Sequence, residues 1–204
     1  MTTSEARRQK QLTRKRQKRK AKTHKPNSGE SWSLAVLATQ APIHECLVPA
    51  ELFEQGIGNL VFSRSLPDGR IAVAMFLLDV FCLGVKNALS AVVTPNEYAR
   101  RVRSLPTIEH YRRVDAACFC QLVKGAVDYA RDLGFPPHGD YAVASQIWGG
   151  LPVDGCLEPF EYGHKGMPYY VSGPNETVVQ AQGIVEHLAR RLGPDKFHYT
   201  VFVP

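Results

Sequence analysis

Acidic residues are almost missing from the start of this chain: residues 1 to 25 hold one, Glu5, beside eleven lysines and arginines. Nothing in that stretch neutralises its own charge. Apolar residues are equally scarce, with Leu12 the only sizeable one between positions 7 and 25. A segment with nothing to bury and a formal charge of +10 is expected to be disordered alone. Residues 4 to 25 also lack glycine and proline, so no helix breaker stands in the arm and phosphate neutralisation would let it become helical once bound. Long hydrophobic runs are absent. The longest strongly apolar stretch, Ile71 to Leu78, is too short to span a bilayer and ends at Asp79. No apolar signal segment follows the basic start, and the five cysteines cannot all pair, so an oxidised, secreted framework is not expected and the thiols are read as reduced in a cytosol. Residue 2 is Thr2, which excludes myristoylation. The sequence reads as soluble and cytoplasmic.

What is present is a strong segregation of charge. Residues 26 to 204 carry 14 bases and 18 acids, a formal −4, so the basicity of the whole chain belongs to the arm. Arg7, Arg8, Lys10, Arg14, Lys15, Arg16, Lys18, Arg19, Lys20, Lys22 and Lys25 are the candidate nucleic-acid contacts. Each such side chain that meets a phosphate releases condensed counterions, giving affinity that fades steeply with salt and reads little sequence. RNA or the ribosome is the expected partner, with DNA possible and a membrane not expected, because the arm lacks a second, apolar face. A passive, solvated tail is the plain rival reading.

Pro26-Asn27-Ser28-Gly29 reads as a linker, which divides the chain into a disordered arm and linker, 1–30, and one globular domain, 31–204. The domain is expected to be α+β: an early β-hairpin or meander, a late hairpin and a C-terminal strand, packed by three to four helices. Pro67-Asp68-Gly69 between two apolar runs predicts a hairpin over residues 58–65 and 71–78. Thr94-Pro95-Asn96-Glu97 is a capping box with proline at the first helical position, predicting a helix through Arg103. Asp115 is the expected cap of a long helix whose Cys118, Leu122, Ala126, Tyr129, Ala130 and Leu133 recur at helical spacing before Gly134. A shorter helix is expected over 140–148. Residues 160–162 and 168–171 around Gly163-His164-Lys165-Gly166 predict the late hairpin, Asn175 the cap of a further helix ending at Gly193-Pro194, and 197–203 a closing strand.

One segment combines an acid, a thiol and a base within core-like sequence: Asp79, Cys82 and Lys86. The rival functional reading is a small hydrolase or nucleic-acid-processing enzyme in which Cys82 is a nucleophile, Asp79 orients a neighbour and a histidine such as His44 takes part. The structural reading is that Asp79 and Lys86 pair with each other or with Arg64 or Arg70, since an unpaired buried charge is costly. If the strand runs on through Cys82, residues 79 and 82 face opposite sides, whereas a helical turn would place residues 79, 82 and 86 on one face. The sequence favours a protein that is not an enzyme. No metal and no cofactor is expected: there is no pair of Cys-x-x-Cys knuckles, and Cys118 and Cys120 project about 200° apart on one helix. The 169–177 corner lacks the Gly-Lys-Ser/Thr of a phosphate loop and carries Glu176 where an anion would sit. Tyr162, Tyr169 and Tyr170 would stack bases only if exposed on a sheet. A third reading is a protein-interaction module with an incidental tail.

The set Gly56-Ile57-Gly58-Asn59, Leu66-Pro67-Asp68-Gly69, the Leu78-Asp79 to Lys86 segment, and Phe160-Glu161-Tyr162-Gly163 through Tyr170-Val171-Ser172-Gly173-Pro174-Asn175 resembles a family of uncharacterised bacterial proteins with short basic N-termini. The resemblance spans most of residues 40 to 200. It implies a bacterial cytoplasmic protein and brings no activity or site residue with it.

Overall fold

In the computed structural model the described residues are 39–106, 110–151 and 155–202, all within one compact unit, Leu37–Pro204. The fold is α+β, built on a five-stranded antiparallel sheet. Strands β1 (Ile43–Pro49), β2 (Ile57–Ser65), β3 (Ile71–Asp79) and β4 (Gly84–Val93) form a meander. A one-turn helix, α1 (Leu52–Gln55), joins the first two. Helix α2 (Pro95–Arg103) then carries the chain back across the sheet, so that β5 (Tyr111–Arg113) pairs with β1 and the strand order is β4-β3-β2-β1-β5. The Pro-Asp-Gly hairpin forms in register, with Ser65 opposite Ile71 and Gly69 at positive φ.

Alternation along the strands gives the sheet two apolar faces. On the first, Leu60, Phe62, Ala74, Phe76 and Leu78 meet α3 (Ala116–Asp132) through Phe119, Leu122, Val123, Ala126 and Val127. Phe119 sits 5.4 Å from Phe62 and 6.2 Å from Phe76, ring to ring, and is fully buried. Asp115 caps this helix as expected, accepting the Ala117 N–H at 2.8 Å. The inward stripe keeps Leu122, Ala126 and Ala130 of the expected set but runs through Phe119, Cys120, Val123 and Val127, while Cys118 is half-buried in a disulfide and Tyr129 and Leu133 join the third core. Small residues let the layers close: a Cβ at Gly84 (φ 64°) would lie 2.9 Å from the Ala126 carbonyl oxygen, and one at Gly125 would strike the Tyr162 ring. The predicted 140–148 helix is a single α turn, α4 (Tyr141–Ala144), continued by a 3-10 turn that sends Ile147 and Trp148 into this core. On the second face, α2 covers Leu47, Val61, Ile71, Val73 and Val93 with Tyr98, Val102 and Leu105. Its capping box at Thr94 and Glu97 is complete.

A third core lies beside the sheet. Strand β6 (Tyr169–Val171) pairs in parallel with β7 (His198–Thr200), and α5 (Val178–Leu192) packs on them through Ala181 and Leu188. The late hairpin is thereby reduced: Gly163 to Gly166 does make the turn, closed by one antiparallel bridge between His164 and Met167, but residues 160–162 form no strand and β6 takes β7 instead. The cap of α5 is Thr177, in a capping box with Gln180, two residues beyond Asn175. Cys118 and Cys156 are joined by a disulfide, which corrects the expectation that all five thiols are reduced; Cys46, Cys82 and Cys120 are free and buried. An odd count excludes only a fully paired set, and the partners lie 38 residues apart. Among the described residues no helix is long and apolar enough to cross a membrane.

Candidate functional site

The strand carrying Asp79 stops at that residue. Its buried carboxylate accepts the backbone N–H groups of Phe81 and Cys82, both at 2.9 Å, and so fixes a tight turn into Gly84. Asp79 and Cys82 are therefore held on one turn and not on opposite sides of a strand. The turn divides its own side chains: Val80 and Phe81 enter the main core, while Cys82 and Leu83 enter the third. Its carbonyls also hold distant segments, with Val80 accepting the Gly163 N–H at 2.9 Å and Phe81 the Tyr169 N–H at 3.1 Å. Burial pushes the Asp79 carboxyl up to about 6, against the opposing pull of the Cys82 amide and the Lys86 charge. Burial, and then Asp79, push the Cys82 thiol far up, which keeps it protonated and not nucleophilic.

Lys86 bonds elsewhere. Its ammonium donates to Glu176 Oε1 at 2.7 Å, and Tyr170 donates its hydroxyl to the other carboxylate oxygen. Burial alone would raise the Glu176 carboxyl; the hydrogen bonds from Lys86 and Tyr170 outweigh it and hold the group below its usual range. This network pins the start of α5 to the edge of β4 and fills the 169–177 corner with the chain's own carboxylate. The other expected partners of Asp79 are also occupied. Arg64 is buried, its guanidinium donating to the carbonyls of Ala41, Ile147 and Trp148, and Arg70 pairs with Asp68 at 2.7 Å on the hairpin turn.

His44 does not join the turn. It hydrogen-bonds Ser65 at 3.2 Å, at the opposite end of β2 from Ile57, the residue opposite Asp79. Eight residues of strand, at about 3.3 Å each, place it roughly 26 Å away. The three tyrosines considered for base stacking are committed to packing: Tyr170 is fully buried, Tyr162 donates to the Leu122 carbonyl at 2.9 Å, and Tyr169 shares a hydrogen bond with Thr200. An open cleft of about 440 Å³ lies against the turn, lined by Phe53, Phe81, Glu161, His164 and Lys165. Among the described residues no three His, Cys, Asp or Glu side chains come together to hold a metal ion. The eleven basic residues between Arg7 and Lys25 lie outside the described residues.

A second charged feature sits on the α2 side of the sheet. Arg100 and Arg103 are exposed on α2, Arg101 is half-buried, and none of the three is ion-paired among the described residues. Glu45 on β1 connects this helix to β5: one carboxylate oxygen accepts the Tyr98 hydroxyl at 2.7 Å and the other accepts from Arg113 at 3.0 Å. The Arg113 side chain is nonetheless 80% exposed. Arg112, on the opposite face of β5, lies 3.8 Å from Glu158 in an exposed pair. These arginines went unmarked in the sequence because the −4 of residues 26–204 averages over them. The readable signal was local: residues 98 to 113 hold five bases and one acid.

No family model, curated protein or solved structure matches this chain.

Proposed function

We propose that this chain is a noncatalytic accessory protein that binds nucleic acid, RNA or the ribosome before DNA, with the arm supplying affinity and the α+β domain supplying placement or partner contacts. The observation that carries the reading is the opposition of a +10 arm to a −4 remainder of the chain. A polyanion is the natural counterpart of eleven bases with one acid among them. The disposition of Asp79, Cys82 and Lys86 supports the same reading, because each is engaged in holding the fold: the carboxylate in a turn, the thiol in a core and the ammonium on Glu176. An enzyme built on that trio would need a thiolate, and burial favours the thiol. The reading places the protein in the cytoplasm with its polymer. The Cys118–Cys156 bond is the one observation that pulls towards an oxidising compartment.

Removal of residues 1 to 25 tests this directly. Binding of single-stranded RNA at low salt, followed by fluorescence anisotropy, is expected to fall by most of its free energy. Unchanged affinity after the deletion overturns the reading.

A further inference from the structure

The charge of the folded part is not spread evenly. Residues 98 to 113 are a formal +4, while residues 26–97 and 114–204 together hold nine bases and 17 acids, a formal −8. Four of these bases, Arg100, Arg101 and Arg103 on α2 and Arg113 on β5, belong to the side of the sheet that α2 covers, while Arg112 lies on the other face of β5. Tyr98, Val102 and Leu105 turn inwards at helical spacing and anchor α2 on the second face of the sheet, which leaves Arg100 and Arg103 pointing to water. Tyr111 packs into the same cluster as Val102, and Arg113 shares the Glu45 carboxylate with Tyr98, so Glu45 ties Arg113 of β5 to α2 on the face away from Arg112.

We propose that this α2/β5 surface, Arg100, Arg101, Arg103 and Arg113, is a second docking site for the phosphate backbone of the polynucleotide held by the arm. The inference rests on the nucleic-acid reading above and adds to it where the folded domain touches the polymer. Three features of the surface fit phosphate. Arginine presents several N–H donors in a fixed fork, and an exposed guanidinium already bound to Glu45 on one side keeps donors for a second anion. The helix and strand under the side chains are anchored by buried contacts, so the donors are held at a fixed spacing and less entropy is lost on binding. The formal −8 of the rest of residues 26–204 repels phosphate, which disfavours other sides of the domain and gives it an orientation on the polymer. A lipid surface fits less well, because among the described residues the exposed aliphatic side chains Ile43, Ile57, Leu89, Val143, Leu157 and Val179 lie on β1, β2, β4, α4, the segment before β6 and α5, and none lies on α2 or β5.

The test is the salt dependence of binding by the full chain to a mixed-sequence single-stranded RNA and to an RNA duplex. The triple variant Arg100→Gln, Arg101→Gln, Arg103→Gln keeps good helix formers in α2. It is expected to lower the slope of log affinity against log salt by about 2, at about 0.7 per lost phosphate contact on a single strand. The same positions changed to lysine are expected to keep the slope, which separates loss of charge from loss of structure. Arg100→Gln and Arg103→Gln singly, at exposed positions, are each expected to remove about a third of the effect if the triple variant melts early. A full chain with all eleven arm bases changed to glutamine locates the two contributions: its residual binding should disappear with the triple change. Equal slopes for the wild-type chain and the folded glutamine variants overturn this proposal and leave the arm reading standing. Failure of the wild-type chain to bind either RNA at low salt overturns both. Binding confined to vesicles of phosphatidylserine also overturns the proposal.

Discussion

The two faces of the five-stranded sheet solve the same packing problem with different means. Under α3 the cover is broad and almost wholly apolar, with Phe62, Phe76 and Phe119 interlocked, and the buried Arg64 is bound to three backbone carbonyls. Under α2 the cover is one short helix. Its seal is partly polar, with the Tyr98 hydroxyl at 3.0 Å from Ser63 and 2.7 Å from Glu45, and its rim is arginine. The difference teaches where charge can sit in this fold: the first face commits its side chains to stability, while the second keeps charged groups at the surface next to an anchored helix.

The comparison breaks most readily at Phe119. Phe119→Ala removes a fully buried ring from the first face and is expected to cost about 3–5 kcal/mol in denaturant unfolding. A cost below that of a surface substitution would mean the first face does not hold the domain together. The junction between the cores is sharpened by Asp79→Asn. The folded-state carboxyl is raised above its unfolded value, so its contribution to stability is full below about pH 4 and is lost as pH rises through about 6. A shift of roughly two units corresponds to about 3 kcal/mol. The amide oxygen of asparagine can still accept from Phe81 and Cys82 without a buried charge, so Asp79→Asn is expected to be the more stable protein at pH 7.5. Its melting temperature should vary less than that of the wild type between pH 4 and 6. Equal pH profiles for the two proteins would show that this carboxyl is not buried in the folded chain. The smallest effect belongs to the second face: Tyr98→Phe removes a hydroxyl bonded to Glu45 and Ser63 and is expected to cost about 1–2 kcal/mol, read as a lower urea midpoint. A loss as large as that of Phe119→Ala would erase the distinction between the faces.

Much of the architecture was legible in the chain because it is encoded locally. The Pro67-Asp68-Gly69 hairpin, the Thr94 capping box and the Asp115 cap each need only neighbouring residues, and each forms where its signal lies. The late hairpin was less faithful, because the choice between residues 160–162 and β7 as the partner of β6 is made by the third core, far away in sequence. The candidate trio was half legible. The sequence put Asp79, Cys82 and Lys86 on one short segment without deciding whether they share a side, and the turn that engages Asp79, and Glu176 as the partner of Lys86, 90 residues on, are tertiary facts.

Sequence alone determined the charge of the arm, the α+β pattern and where α2, α3 and the first hairpin begin, since charge density, capping and alternation act over a few residues. The tertiary structure decided which cysteines pair, that the Cys82 thiol is kept protonated, and that Glu45 joins Arg113 of β5 to Tyr98 of α2. Those outcomes depend on which surfaces meet and on what water is excluded from, and no short stretch of chain carries that information.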